Sequence, residues 1–296
     1  MQRRFATLDV FTDRRFVGNP LAVVLDAERL ETAEMQAIAR EFSHPETVFV
    51  LPASDSSHRA RLRIFTPARE LPFAGHPTVG TAVLLGRIGG GVAAHEMVLE
   101  EKIGPVHCVV EPVDARRGRA RFALPQLPSE GGTVADDARI AAALQLPQAE
   151  IGFGTFRACS WSAGNPVTFV PVGSLRAVGA CRPDLAKFAT AFDDGVVYVF
   201  CDETAEPGNA FHARMFAPAF GVAEDPATGS AAAALAGLLA ARGSLSDGDH
   251  AFAIEQGYEM GRPSLIRLTL LMRDGKLASA AVGGAAVIVT EGTIEA

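Results

Sequence analysis

The sequence predicts an α+β fold of two pseudo-symmetric lobes, each built on one buried helix and both descended from an internal duplication. Three observations point there. A stretch occurs twice, as Phe73-Ala-Gly-His-Pro-Thr-Val-Gly-Thr-Ala82 and as Ala223-Glu-Asp-Pro-Ala-Thr-Gly-Ser-Ala-Ala232. Setting His76-Pro77 on Asp225-Pro226, 149 positions apart, also matches Gly80 with Gly229, Thr81 with Ser230 and Ala82 with Ala231. Two more matches follow in the same order at nearly the same spacing: Arg63-Ile-Phe65-Thr-Pro67 with Arg214-Met-Phe216-Ala-Pro218, and Val17-Gly-Asn-Pro20 with Ala163-Gly-Asn-Pro166. Gly-Asn-Pro alone is ordinary turn chemistry, but three matches in order at about half the chain length mark a repeat. Most of the remaining apolar residues alternate with period two, so strands outnumber helices.

The elements follow in chain order. Arg4 to Phe11 alternates as a strand, Gly18-Asn19-Pro20 turns, and Leu21 to Leu25 is a short β-type run. Thr32 to Phe42 is an amphipathic helix that Thr32 can cap, with Met35, Ile38, Ala39 and Phe42 at helical spacing. Pro45 ends anything helical, and Glu46 to Leu51 is β-prone. Arg61 to Phe65 is a strand leading to the first repeated turn, where Pro77 suits the first turn of a helix. Gly89-Gly90-Gly91 breaks the chain, and 97–101, 106–111 and 119–124 form a meander. Pro125 to Gly132 is the best linker, giving lobes 1–128 and 129–296, with the last strand free to cross back to the first lobe. In the second half, 136–144 and 183–190 are helices started by Asp136 and Asp184. The stretches 165–172, 195–201, 211–216, 265–271, 277–282 and 285–290 are strands, and the run 231–241 is the second central helix.

The chain of 296 residues fits two domains near 150 residues each, and 48% hydrophobic with 21% charged residues supplies a sizeable core. A net charge of −7 with no local Lys/Arg cluster argues against a nucleic-acid partner. Cys108, Cys159, Cys181 and Cys201 are scattered and show no zinc-ligand spacing, so neither a metal nor a disulfide framework is expected. No apolar signal core follows Met1, and the run 231–241 is too short to span a bilayer. A cytoplasmic protein with no membrane partner is expected.

Chemistry is expected at the two helix N-termini. A helix start offers unpaired N–H groups and partial positive charge, which hold carboxylate or phosphate, and small residues (Gly80, Thr81; Thr228, Gly229, Ser230) let an oxyanion approach. Close packing of a buried helix explains the same small residues. His76 reads as a proton donor, a hydrogen-bond anchor or a capping histidine. Asp225 reads as a ligand-orienting group, a base or an N-cap. On pattern alone Glu46 is either a catalyst or an exposed carboxylate at a strand end.

The stretches Phe16-Val-Gly-Asn-Pro-Leu-Ala-Val-Val24, Glu46-Thr-Val-Phe49, Phe65-Thr-Pro67, Glu70 to Ala82 and Asp225-Pro-Ala-Thr-Gly-Ser-Ala231 together resemble the PhzF-like phenazine-biosynthesis family, in family order from residue 5 to about residue 240. The resemblance implies a diaminopimelate-epimerase-like fold, each lobe a barrel-like, mostly antiparallel sheet around a central helix, with the active site between the lobes. It implies that Glu46 is the catalytic acid/base, that His76 and Asp225 are active-site residues and that Ser230 contacts substrate. Gly75, Asn19, Thr228 and Gly229 are the other expected substrate-binding residues. It further suggests a homodimer. The related epimerases carry a cysteine at each helix mouth; His76 and Asp225 stand there instead, which argues against a two-thiol racemase. The family usually reads Asn-x-Ser-Glu-Thr where this chain reads Ser43-His44-Pro45-Glu46-Thr47.

The expected activity is therefore a cofactor-independent isomerisation that moves a proton within a small, unsaturated, carboxylate-bearing substrate of the dihydro-hydroxyanthranilate type, shuttled by Glu46. Two other readings stay open: a catalytically silent ligand- or partner-binding protein on the same fold, favoured by Pro45 beside Glu46, and an epimerase using Glu46 and His76 as opposed bases.

Overall fold

Alternating apolar residues build most of the chain into strands, and two runs that are apolar all round become the buried helices. The structure, a computed structural model, describes residues 1–89, 93–193 and 195–296. It divides into two units, Met1–Pro125 with Val282–Ala296, and Gln126–Ala281. Gly90 and Gly91 of the expected glycine break lie outside the described residues.

The first unit runs β1 (Gln2–Val10), β2 (Asn19–Val24), α1 (Thr32–Phe42), β3 (Glu46–Leu51), β4 (Ala60–Phe65), β5 (Glu70–Leu71), α2 (Gly75–Ile88), β6 (His95–Glu101), β7 (Gly104–Pro112) and β8 (Arg117–Ala123). Its ladder goes β1, β2, β3, β4, β6, β7, β8 and closes through the end of the last strand, β17 (Lys276–Glu295), which pairs with both β8 and β1. Eight strands thus form a barrel, antiparallel except at β2/β3 and β4/β6. A closed barrel has no edge left to aggregate. Inside it lies α2, buried from Gly75 through Gly86. A stripe-faced helix could not sit there; α2 can because its sequence is apolar or small on every side. α1 packs outside and buries only Met35 and Ala39 of its own length, beneath a cluster that includes Val24, Phe49 and Phe65.

The second unit repeats the order. β9 (Ser129–Glu130) and α3 (Asp137–Leu144) precede β10 (Cys159–Ser162), β11 (Pro166–Pro171), α4 (Leu175–Ala180), α5 (Leu185–Ala191), β12 (Val197–Cys201), β13 (Phe211–Ala217), β14 (Val222–Asp225), α6 (Gly229–Arg242), β15 (Gly248–Gln256), β16 (Ser264–Arg273) and the start of β17. Parallel pairs recur at β11/β12 and β13/β15, the counterparts of β2/β3 and β4/β6. α6 is buried from Ala231 to Leu239, and α3, α4 and α5 cover the outer face of the sheet through Ile140, Leu144, Val178 and Phe188. The α+β class, with barrel-like lobes each wrapped on a central helix, is therefore what the chain adopts. Among the described residues, no helix is long and apolar enough to cross a membrane.

Several local expectations are corrected. Glu31, not Thr32, caps α1, in a capping box with Glu34. The stretches 277–282 and 285–290 are one strand, not two. The glycines between them allow a close approach instead of a break: a Cβ on Gly283 would stand 2.6 Å from the Ala120 carbonyl oxygen. The linker stretch 125–132 contains β9, which pairs with β10. β10, α4, β14 and β15 had no clear sequence signal. The pairing of His76-Pro77 with Asp225-Pro226 is not the structural register. His76 is the second residue of α2, whereas Asp225 ends β14, ahead of the N-cap Thr228. Aligning the helix starts places Gly75 on Gly229 and His76 on Ser230.

Candidate functional site

In the first unit, Asn19 opens β2 and Glu46 opens β3, and the two strands pair in parallel with Leu21 opposite Glu46. Their N-terminal ends carry Asn19, Pro20 and Glu46 to the start of α2. Asn19 is fully buried. Glu46 is neither an exposed strand-end carboxylate nor a core residue: its side chain is 17% exposed. The α2 N-cap is Ala74, whose side chain has no acceptor and makes no cap hydrogen bond to the first turn. Pro77 lies within that first turn, where its missing N–H is harmless.

His76 Nε2 lies 3.2 Å from Glu46 Oε2, off the line of a good hydrogen bond. Burial pushes the imidazole pKa down to about 3, against the opposing pull of its hydrogen bond to the Pro20 backbone; the nearby His44 ring lowers it further. Proline has no N–H, so that bond is donated by the imidazole to the Pro20 carbonyl. A neutral ring has one N–H. Nε2 therefore presents a lone pair towards Glu46. His76 is a hydrogen-bond acceptor here, and the proton-donor reading would need the other tautomer. Glu46 and His76 come together, with Asn19 next to Pro20 in β2 and Gly75 at the helix mouth.

Gly80, expected to admit a ligand oxyanion, does something else. A Cβ there would meet Leu21 and Val10 side chains at 2.6 and 2.7 Å, so the glycine lets α2 pack against β1 and β2.

In the second unit Asp225 is 8% exposed, and the Thr228 hydroxyl donates to its Oδ2. Gln256, fully buried at the end of β15, ties this turn together. Its Nε2 donates to the Asp225 carbonyl at 2.7 Å and to Thr228 Oγ1 at 2.9 Å, and its Oε1 accepts from the Thr228 N–H at 3.0 Å. Thr228 thus spends its hydroxyl and its N–H inside the protein. Gly229 and Ser230 begin α6 without a capping side chain, and Ser230 is half-buried between buried neighbours. Sequence reasoning missed Gln256. The available signal was a polar residue immediately before Gly257, whose backbone sits so close to Pro226 that a Cβ would stand 2.5 Å from its carbonyl oxygen.

The profile for phenazine biosynthesis-like proteins matches residues 8–292. The chain belongs to the phenazine biosynthesis-like (PhzC-PhzF) family. Among relatives, an uncharacterized isomerase of Mesorhizobium japonicum is 49% identical over 99% of this chain and 98% of its own. The trans-2,3-dihydro-3-hydroxyanthranilate isomerase of Pseudomonas chlororaphis is 36% identical over 98% of both chains. Among solved structures, a PhzF-family phenazine biosynthesis protein of Bacillus anthracis superposes with a TM-score of 0.89 at 26% identity, covering 100% of both chains. This PhzF-family chain is accordingly an isomerase.

Proposed function

We propose that this PhzF-family isomerase moves a proton within a small, unsaturated, carboxylate-bearing molecule of the dihydro-hydroxyanthranilate type, with Glu46 as the acid/base. The observation that supports this reading is the placement of a partly exposed Glu46 carboxylate beside a neutral, buried His76 at the start of α2. The Glu46 carboxylate takes a proton from one substrate carbon, the C–H electron pair shifts into the conjugated system, and the same proton is returned to a second carbon. No net proton, electron or cofactor is required. While Glu46 holds the proton, the lone pair of His76 Nε2 can accept a hydrogen bond from it. The N–H groups of Gly75 and His76 hold the substrate carboxylate, assisted by helix-end charge. Asn19 on this unit is assigned to binding a polar substituent; within the C-terminal unit, Thr228 and Gln256 hold Asp225 in place.

General acid–base catalysis of this kind supplies about 10²–10⁴ in rate, and orientation and electrostatics must supply the rest. The four cysteines offer no competing chemistry: burial raises Cys108, Cys181 and Cys201 to about 12 and Cys159 to about 11. On the family resemblance the protein is assigned as a homodimer, which sedimentation analysis checks. The function is tested by NMR in D₂O with a panel of cyclic and linear unsaturated amino and hydroxy acids. Double-bond migration or exchange that disappears in Glu46→Gln supports the assignment. A substrate turned over equally well by Glu46→Gln would overturn the mechanism.

A further inference from the structure

Glu101 ends β6 in the first unit, and Gln256 ends β15, the equivalent strand of the second. Both reach the first turn of the central helix of their own unit. Gln256 grips Thr228, the N-cap of α6. Glu101 grips the backbone of Ala74, the N-cap of α2, and the Thr78 hydroxyl four residues on, at 2.6 Å. Glu101 is buried, and among the described residues its Oε2 has no hydrogen-bond partner.

A count of protons says which form of Glu101 fits. Thr78 Oγ1 lies 2.7 Å from the Ala74 carbonyl oxygen and 2.6 Å from Glu101 Oε1. The carbonyl can only accept, and a hydroxyl carries one proton. Once Thr78 donates that proton to Ala74, the contact with Glu101 needs a proton from Glu101. A carboxylic acid has the same shape as the amide that stands at the corresponding place in the second unit.

We propose that Glu101 is a positioning residue: held as a neutral acid, it clamps the first turn of α2 and so fixes His76 against Glu46, as the Gln256 amide clamps α6. Burial supports the neutral form and pushes the carboxyl up to about 8, against the hydrogen bonds from Thr78 and Ala74 that favour the anion. Of the groups on neighbouring elements, Cys108 on β7 is coupled to it electrostatically and is itself raised to about 12 by burial first and by Glu101 second. His76 on α2 stays neutral. Arg63 on β4, Glu70 on β5 and Lys102 pair with one another, and Glu100 is occupied by Ser54, Asp55 and His58. Above pH 8, then, Glu101 loses its proton, Thr78 turns its hydroxyl proton from the Ala74 carbonyl to the carboxylate, and the turn carrying His76 shifts.

The inference rests on the proposed function only for its catalytic readout. The test uses the full chain with ¹⁵N-labelled histidine, titrated from slightly acidic to alkaline pH. The His76 ring resonances are expected to move with a midpoint near 8 in the parent and to lose that transition in Glu101→Gln. An alkaline decline of D₂O exchange in the parent should disappear in Glu101→Gln, and the amide should recover exchange lost in Glu101→Leu. His76 resonances that stay flat in the parent, or that titrate identically in Glu101→Gln, overturn the proposal. If neither protein shows exchange with any substrate, the proposed function fails while the His76 titration still decides the role of Glu101. If Glu101→Gln does not fold, the infrared band of a protonated carboxyl in the parent decides instead: it should vanish above pH 8, and its absence at pH 7 overturns the proposal.

Discussion

His76 Nε2 stands 3.2 Å from Glu46 Oε2, and the imidazole at one end of that contact is neutral. The pair is therefore no ordinary salt bridge, and its contribution to stability is small compared with a buried ion pair. Its expected effect is on chemistry. Glu46→Gln keeps the shape and removes the proton acceptor, so substrate-dependent exchange in D₂O should fall by about 10²–10⁴. The urea midpoint should move little. A large loss of stability with an unchanged rate per folded molecule would contradict this division of roles.

His76 should leave a mark on acid stability. Its ordinary pKa is 6.5 and burial lowers it to about 3 in the folded protein. Between those values the unfolded chain binds a proton that the folded one excludes. The stability it secures is present in full above pH 6.5 and is lost as the pH falls towards 3. The integrated effect is on the order of 5 kcal/mol. Urea titrations at stepped pH should show this slope in the parent protein, and His76→Gln, which cannot gain the proton, should flatten it.

Gln256 makes three hydrogen bonds at the start of α6, all buried. Gln256→Leu keeps the volume and removes the partner of the Thr228 N–H and of the Asp225 carbonyl, while the Thr228 hydroxyl still donates to Asp225. Each orphaned group costs about 1–3 kcal/mol. The expected result is a clear drop in the urea midpoint. A variant as stable as the parent would mean that water replaces the amide.

Much of this architecture was legible, and the failures share a cause. The bounds of α1 and β3 follow from apolar spacing, because α1 shows one face to the core and β3 begins after Pro45. Glu46 and the Pro20 backbone both reach His76 because parallel pairing sets Leu21 opposite Glu46, which brings the starts of β2 and β3 together. The sequence match of His76-Pro77 with Asp225-Pro226 misled because two prolines do different work: Pro77 is inside a helix and Pro226 is in the turn before one. Glu101 and Gln256 stayed hidden because they are polar residues buried at strand ends, where alternation says solvent. β15 carries four buried residues in a row at its end, so period two breaks down where it matters. α4 is six residues long, too short to show a stripe.

Gly237 lies in the middle of α6, where alanine would ordinarily be worth about 1 kcal/mol in helix propensity. Here a Cβ would stand 2.3 Å from Trp161 Cε3 and 2.8 Å from the Pro128 Cβ. Trp161 is 8% exposed and held in β10, so its ring cannot swing away freely. Overpacking costs about 1–3 kcal/mol and should outweigh the propensity gain. Gly237→Ala is expected to lower the melting temperature and alter Trp161 fluorescence. A stabilised variant would show that the ring yields.

The cysteines provide a check on the class of chemistry. Cys108, Cys181 and Cys201 are buried, and burial raises their thiols to about 12, so at pH 8 almost no thiolate exists at any of them. Cys159 is half-buried and raised to about 11, chiefly by the same desolvation. In the native protein at pH 8 a small alkylating reagent should therefore react slowly, first at Cys159, and all four thiols should react together on unfolding in urea. Catalysis by a carboxylate makes a further demand: native protein treated until Cys159 is modified should keep its isomerase activity. Rapid alkylation with parallel loss of turnover would place a thiolate in the reaction, which Glu46 chemistry does not allow.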